Sequence, residues 1–152
     1  MKSNSNNETT QVKSARDALA LLARKMYEKF GAEALPLIEE VCEKLGQAIG
    51  KRMLENLPDR NLKTVGKAFA EGARRRNNPI DIIEISDTIF HLKGYRCNLG
   101  LKNTHRELCK AMMAIDQGIF EAATGKKIKL NIAKTLAGGD PYCEVIFQLA
   151  DE

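Results

Sequence analysis

The chain has 152 residues, 43% of them hydrophobic and 29% charged, which excludes a disordered protein and suits one domain that buries a core without disulfides. Its net charge of +4 is modest, and no run approaches the roughly 18 consecutive apolar residues of a bilayer span. The N-terminus lacks the basic-then-apolar order of a signal peptide, so a cytoplasmic protein with its four cysteines (Cys42, Cys97, Cys109 and Cys143) reduced is expected.

Residues 1–10 are polar, rich in Asn and Ser, and read as a disordered tail; residues 11–152 read as one domain. Ser14 with Asp17 three positions on marks a helix start, and Leu19, Leu22, Met26 and Phe30 recur at helical spacing until Gly31. A second helix begins near Pro36, a residue suited to a first turn, and carries Ile38, Val41, Leu45, Ile49 and Met53 before Pro58. Gly46 and Gly50 lie one turn apart on it, where another helix could approach closely. Leu62, Val65, Phe69 and Gly72 define a third helix that ends in the arginines 74–76. That basic segment has almost no aromatics to stack on bases and no zinc-finger spacing, so it reads as a solvated helix end rather than a nucleic-acid surface.

From residue 80 the pattern changes. Asp81 to Lys93 is rich in isoleucine and broken at Ser86-Asp87, which predicts two short strands around a tight turn. Gly94 to Asn103 reads as a loop. Thr104 with Glu107 resembles a capped helix start, followed by Leu108, Met112, Ile115, Ile119 and Ala122 in one helix ending at Gly125. Ile128, Leu130 and Ile132 then alternate with polar neighbours, as do Cys143, Val145, Phe147 and Leu149 beyond the turn Gly138-Gly139-Asp140-Pro141. A helical half (11–76) and a sheet-and-helix half (80–150) make an α+β fold, N-terminal helices packed with a mainly antiparallel C-terminal sheet.

This map gathers reactive side chains. His105 and Cys109 share a helix face, Asp116 follows on roughly the same side, and Cys97 lies in the loop entering that helix. If the helix packs across the last hairpin, Cys97, Cys109 and Cys143 converge, with His105 as a fourth donor; thiolates with an imidazole are zinc ligands. Each thiol has a plainer reading as a core residue, Cys42 most of all. A carboxylate at position 116, beside Met112, Met113 and Phe120, needs a partner if buried. His91 falls among strand hydrophobics as a face or lining residue and, with Asp140, is a candidate ligand contact, although Asp140 also suits the turn itself. No GxSxG, P-loop or GxGxxG sequence is present.

The segments Tyr95-Arg96-Cys97, Leu108-Cys109, Ile115-Asp116, Lys134-Thr135-Leu136 and Gly139-Asp140 with Cys143 resemble the aminothiazoline-carboxylate hydrolase family and, more distantly, the four-vinyl-reductase small-molecule-binding domain. The resemblance implies helices against an antiparallel sheet, a small-molecule pocket and a homodimer. Related sensor domains hold zinc with a helix cysteine, a Glu-x-x-Cys pair and a cysteine after the glycine turn. Cys109 and Cys143 match the first and last of these ligands. The middle pair is replaced by the stretch Asn131 to Lys134, so that zinc set does not carry over intact, and Cys97 is the substitute at hand. Three functions follow: a hydrolase of C–N bonds in a small cyclic substrate, with Cys109 or Cys143 as nucleophile or ligand and Asp116 as general acid or base; a non-catalytic ligand- or metal-binding module; and an interaction subunit docking through its N-terminal helices.

Overall fold

The computed structural model describes residues 12–97, 101 and 103–150, so the expected tail at 1–10 lies outside the described residues, as does part of the 94–103 loop. Helix α1 (Ala15–Phe30) starts where the Ser14 hydroxyl accepts the Asp17 N–H at 3.1 Å and ends at Gly31. A short 3-10 turn (Gly31–Ala34) leads into α2 (Leu35–Leu54), with Pro36 in its first turn, and α3 spans Leu62–Arg75. Strands β1 (Ile80–Ile85) and β2 (Ile89–Gly94) meet at Ser86, whose hydroxyl accepts the Thr88 and Ile89 N–H groups. The first three predicted helices and the first hairpin are therefore present.

The fourth predicted helix is two helices. Helix α4 covers Arg106–Met112 and α5 covers Ala114–Thr124, separated at Met113, where ψ is −6°. Thr104 does not cap it: its hydroxyl donates to the Leu101 carbonyl, so the Thr-x-x-Glu spacing serves the preceding turn. Strands β3 (Ile128–Lys134) and β4 (Cys143–Leu149) close the chain, and the sheet order is β1-β2-β4-β3, antiparallel at every pairing. The α4–α5 segment links central strand β2 to edge strand β3, and β4 returns between them.

Two contacts fix α5 over the sheet. On the helix side, α2 approaches it backbone to backbone: a Cβ on Gly46 would stand 2.0 Å from the Ile115 carbonyl oxygen, and one on Gly50 2.4 Å from that of Ile119. Only glycine permits this separation. On the sheet side, Phe120 stacks on Phe147 with ring centroids 4.2 Å apart, and Phe90 and Phe69 complete the cluster. Phe90, Phe120 and Phe147 are wholly buried, each worth about 1.5–3 kcal/mol of burial. By contrast, Leu22, Phe30 and Val41 of the expected apolar stripes are more than half exposed, because α1 and the first turns of α2 lie at the rim of the helical layer.

Candidate functional site

The sheet corner and the turn after β3 bring the thiols together. Gly94 pairs with Cys143 at the end of the sheet, so Cys97, three residues beyond Gly94, and Cys143 enter the same corner from adjacent strands. After β3 the chain makes a 3-10 turn over Leu136–Gly138, and Gly139 closes it at φ 92°, which favours glycine. Asp140 accepts the Thr135 N–H at 2.8 Å and stands 3.5 Å from the Arg106 guanidinium, so its carboxylate shapes the turn. The folded turn presents two donors to two thiols: the Thr135 hydroxyl donates to Cys109 Sγ at 3.2 Å, and the Leu136 N–H donates to Cys143 Sγ at 3.4 Å. Cys97 Sγ accepts the Leu101 N–H at 3.3 Å.

These three thiols line one cavity of about 80 Å³ between α3, α4, α5 and the sheet. Phe69, Leu92, Met113 and Val145 supply apolar wall, and Asp116, Arg76 and Thr135 supply polar groups. The expected convergence of Cys97, Cys109 and Cys143 is thus present, with Asp116 rather than His105 beside them.

The electrostatics separate the thiols from the carboxyl. Burial pushes the Cys109 thiol up to about 11, against the opposing hydrogen bond from Thr135. Burial likewise raises Cys143, with the Leu136 N–H acting the other way. Asp116 is raised to about 6 by removal from water, opposed by the positive charges of Arg16 and Arg76. Neither arginine closes an ion pair with it among the described residues. A carboxyl near 6 in a cleft has the proton affinity of a general acid or base near neutral pH.

The structure does not bring His91, His105 or Asp140 to this cavity. His91 faces the opposite side of the sheet from Leu92 and holds Glu144 at 2.7 Å. His105 packs edge-on against Tyr27 at 4.8 Å. Among the described residues, no group of three or more His, Cys, Asp or Glu is arranged to hold a metal ion. Three contributors were not read as site residues in the sequence: Thr135, quoted only for the family resemblance, Arg76, read as part of a solvated helix end, and Arg16. Arg76 belongs to a run whose other two members, Arg74 and Arg75, do pair in solvent with Glu71. Only its position at the helix end, folding back over Gly72, sets it apart.

No helix among the described residues is long and apolar enough to cross a membrane. No curated protein matches the chain in sequence. Among solved structures it is similar to the phenol-responsive sensory domain of the transcription activator PoxR in complex with phenol, at 13% identity and TM-score 0.67 over 91% of this chain and 76% of that one. It is also similar to trafficking protein particle complex subunit 3 from Naegleria fowleri covalently bound to palmitic acid, at 15% identity and TM-score 0.64 over 90% and 93% of the two chains. An H-NOX protein from S. oneidensis aligns at 11% identity and TM-score 0.51, over 93% and 79%. These likenesses are of fold. The family model for L-2-amino-thiazoline-4-carboxylic acid hydrolase matches residues 11–147, nearly the whole chain, and the protein belongs to that family.

Proposed function

We propose that the chain binds a small, ring-sized molecule in the thiol-lined cavity and hydrolyses a C–N bond in it, with Asp116 moving the proton. The observation that carries this reading is the convergence of a half-buried carboxyl, raised to about 6, with an apolar cavity. At about 80 Å³ the space is well below the ~300–1,000 Å³ of pockets for drug-sized ligands. An apolar cavity of ~150 Å³ takes a benzene ring, so here a single small ring is the upper limit and a long acyl chain such as the palmitate on the Naegleria protein is excluded.

The thiols are poorly suited to attack. With Cys109 at about 11, only about one molecule in ten thousand carries a thiolate at pH 7. In the reading favoured here, water adds to the ring carbon, the C–N bond breaks, Asp116 gives its proton to the departing nitrogen, and the attacking water restores that proton. The cysteines then act as soft apolar lining. Binding without turnover is the second reading, and the raised proton affinities of Cys109 and Cys143 favour it.

The test is ring opening of L-2-amino-thiazoline-4-carboxylate, followed by NMR for wild type and Asp116→Asn. Loss of about 10²–10⁴-fold in turnover with binding kept is the expected result for a proton-transfer group. Binding with no turnover in the wild type would select the second reading. If neither this compound nor a neutral ring such as benzyl alcohol perturbs resonances around Cys109 and Asp116, both readings fail.

A further inference from the structure

We propose that a second, smaller cavity behind Asp116, walled by Arg16, Arg76 and Asp116, is a binding site for a small oxyanion. The cavity holds about 60 Å³ and lies between α1, α2, α3 and α5, with Ile49, Met53 and Ile119 as its apolar sides. Arg16 Nε is buried there with no hydrogen-bond partner. An unsatisfied N–H on a cation is costly in such surroundings, and a bound anion would satisfy it. Arg76 keeps much of its surface in solvent but lays Nη1 over Gly72, 3.3 Å from where a Cβ at that position would sit, so its guanidinium borders the same space. Two cations face one carboxyl with which neither closes an ion pair, which leaves an excess of positive charge against apolar walls.

Size selects the ligand. About 60 Å³ is roughly the share of two water molecules, enough for a carboxylate, formate or acetate and too little for a nucleotide. Phe69, Arg76 and Asp116 wall both cavities, so the oxyanion is either a free ion or the acid group of a ring held in the thiol cavity. The second source rests on the small-molecule reading above; the first does not.

An anion next to Asp116 requires that carboxyl to take up its proton. The charged and titratable groups facing it are Arg16 from α1, Arg76 at the end of α3 and Cys109 from α4, while Cys42 of α2 faces Arg16. Burial holds both thiols near 11, so Asp116 alone changes charge around pH 6. Anion affinity is therefore expected to fall about 25-fold between about pH 5.5 and 7.5, and to lose that dependence in Asp116→Asn.

Acetate, benzoate and neutral benzyl alcohol are titrated into wild type, Arg16→Met, Arg16→Lys and Asp116→Asn at both pH values, with chloride at matched ionic strength as control. Saturable acetate binding that Arg16→Met abolishes and Arg16→Lys partly keeps supports a free-ion site. Arg16-dependent benzoate binding without acetate binding supports a ligand-borne carboxylate. Acetate and benzoate effects no larger than those of chloride, or unchanged in Arg16→Met, overturn the oxyanion site. In that case benzyl alcohol binding shows whether the thiol cavity still takes a ring, so the two readings fail separately.

Discussion

Replacing Gly46 with alanine tests the contact that holds α5, and with it Asp116, in place. The new Cβ would stand 2.0 Å from the Ile115 carbonyl oxygen, a full ångström inside the 3.0 Å limit below which Cβ contacts are essentially never seen. The obstacle is backbone, so α5 must move away from α2 by about that distance. A gap of 0.5–1 Å forfeits roughly a quarter to a half of each dispersion contact, and here it falls on Cys42, Ile115 and Ile119 in the buried core. Alanine recovers about 1 kcal/mol of helix propensity, leaving a net loss of about 2–4 kcal/mol, at the upper end of overpacking costs. For a chain of this size that is a fall in Tm of roughly 5–15 °C. Urea unfolding measures it, with an unchanged m-value showing that the denatured state is the same. Because Asp116 is the neighbour of Ile115, ring binding should weaken as well. Gly72→Ala is the control: there only the flexible tip of Arg76 stands in the way, at 3.3 Å, and a gain of up to about 1 kcal/mol is expected. Gly46→Ala as stable as wild type would refute the close α2–α5 packing.

Asp116 binds its proton more tightly in the folded chain, at about 6, than at its ordinary 3.8, so its contribution to stability is full below about pH 4 and is lost as pH rises through 6. Wild type should therefore lose up to about 3 kcal/mol relative to Asp116→Asn across that window, read by urea unfolding at several pH values; parallel profiles would show that Asp116 is solvated. Native-state alkylation at neutral pH should label Cys97 and Cys143, which are partly exposed, well before Cys42 and Cys109, as resolved by peptide mass spectrometry. Early modification of Cys109 would contradict its burial and its raised proton affinity. Arg60→Ala should cost about 1–3 kcal/mol, because the Arg60 guanidinium donates to the Ala122 and Ala123 carbonyls at the end of α5; a change within 0.5 kcal/mol of zero would show those carbonyls satisfied by water.

Local signals were legible where they are local in cause. Ser14 caps α1 through a hydrogen bond three residues away, Pro36 sits in a first turn, and the isoleucine-rich run splits at Ser86; each follows from neighbours in sequence. The family was legible in the same way, from residues around the last turn. Misreadings arose where a local pattern had a different employer. Thr104 has the spacing of a capping residue but spends its hydroxyl on Leu101, and Leu22 and Phe30 keep helical periodicity on a helix that the core reaches only in part.

The sequence by itself determined the α+β order, the boundaries of the first three helices and both hairpins, and the family, because periodicity, caps and turn residues act within a few positions of the chain. It also placed Gly46 and Gly50 for a close helix approach. Only the tertiary structure decided which side chains share a cavity. Packing alone sends His91 to the far face of the sheet and His105 to Tyr27, sets Asp116 against one cavity with Arg16 and Arg76, and turns Arg76 away from the pairing of Arg74 and Arg75. Desolvation, which sets the proton affinities of Cys109 and Asp116, depends on everything around a group in space, and no spacing along the chain encodes it.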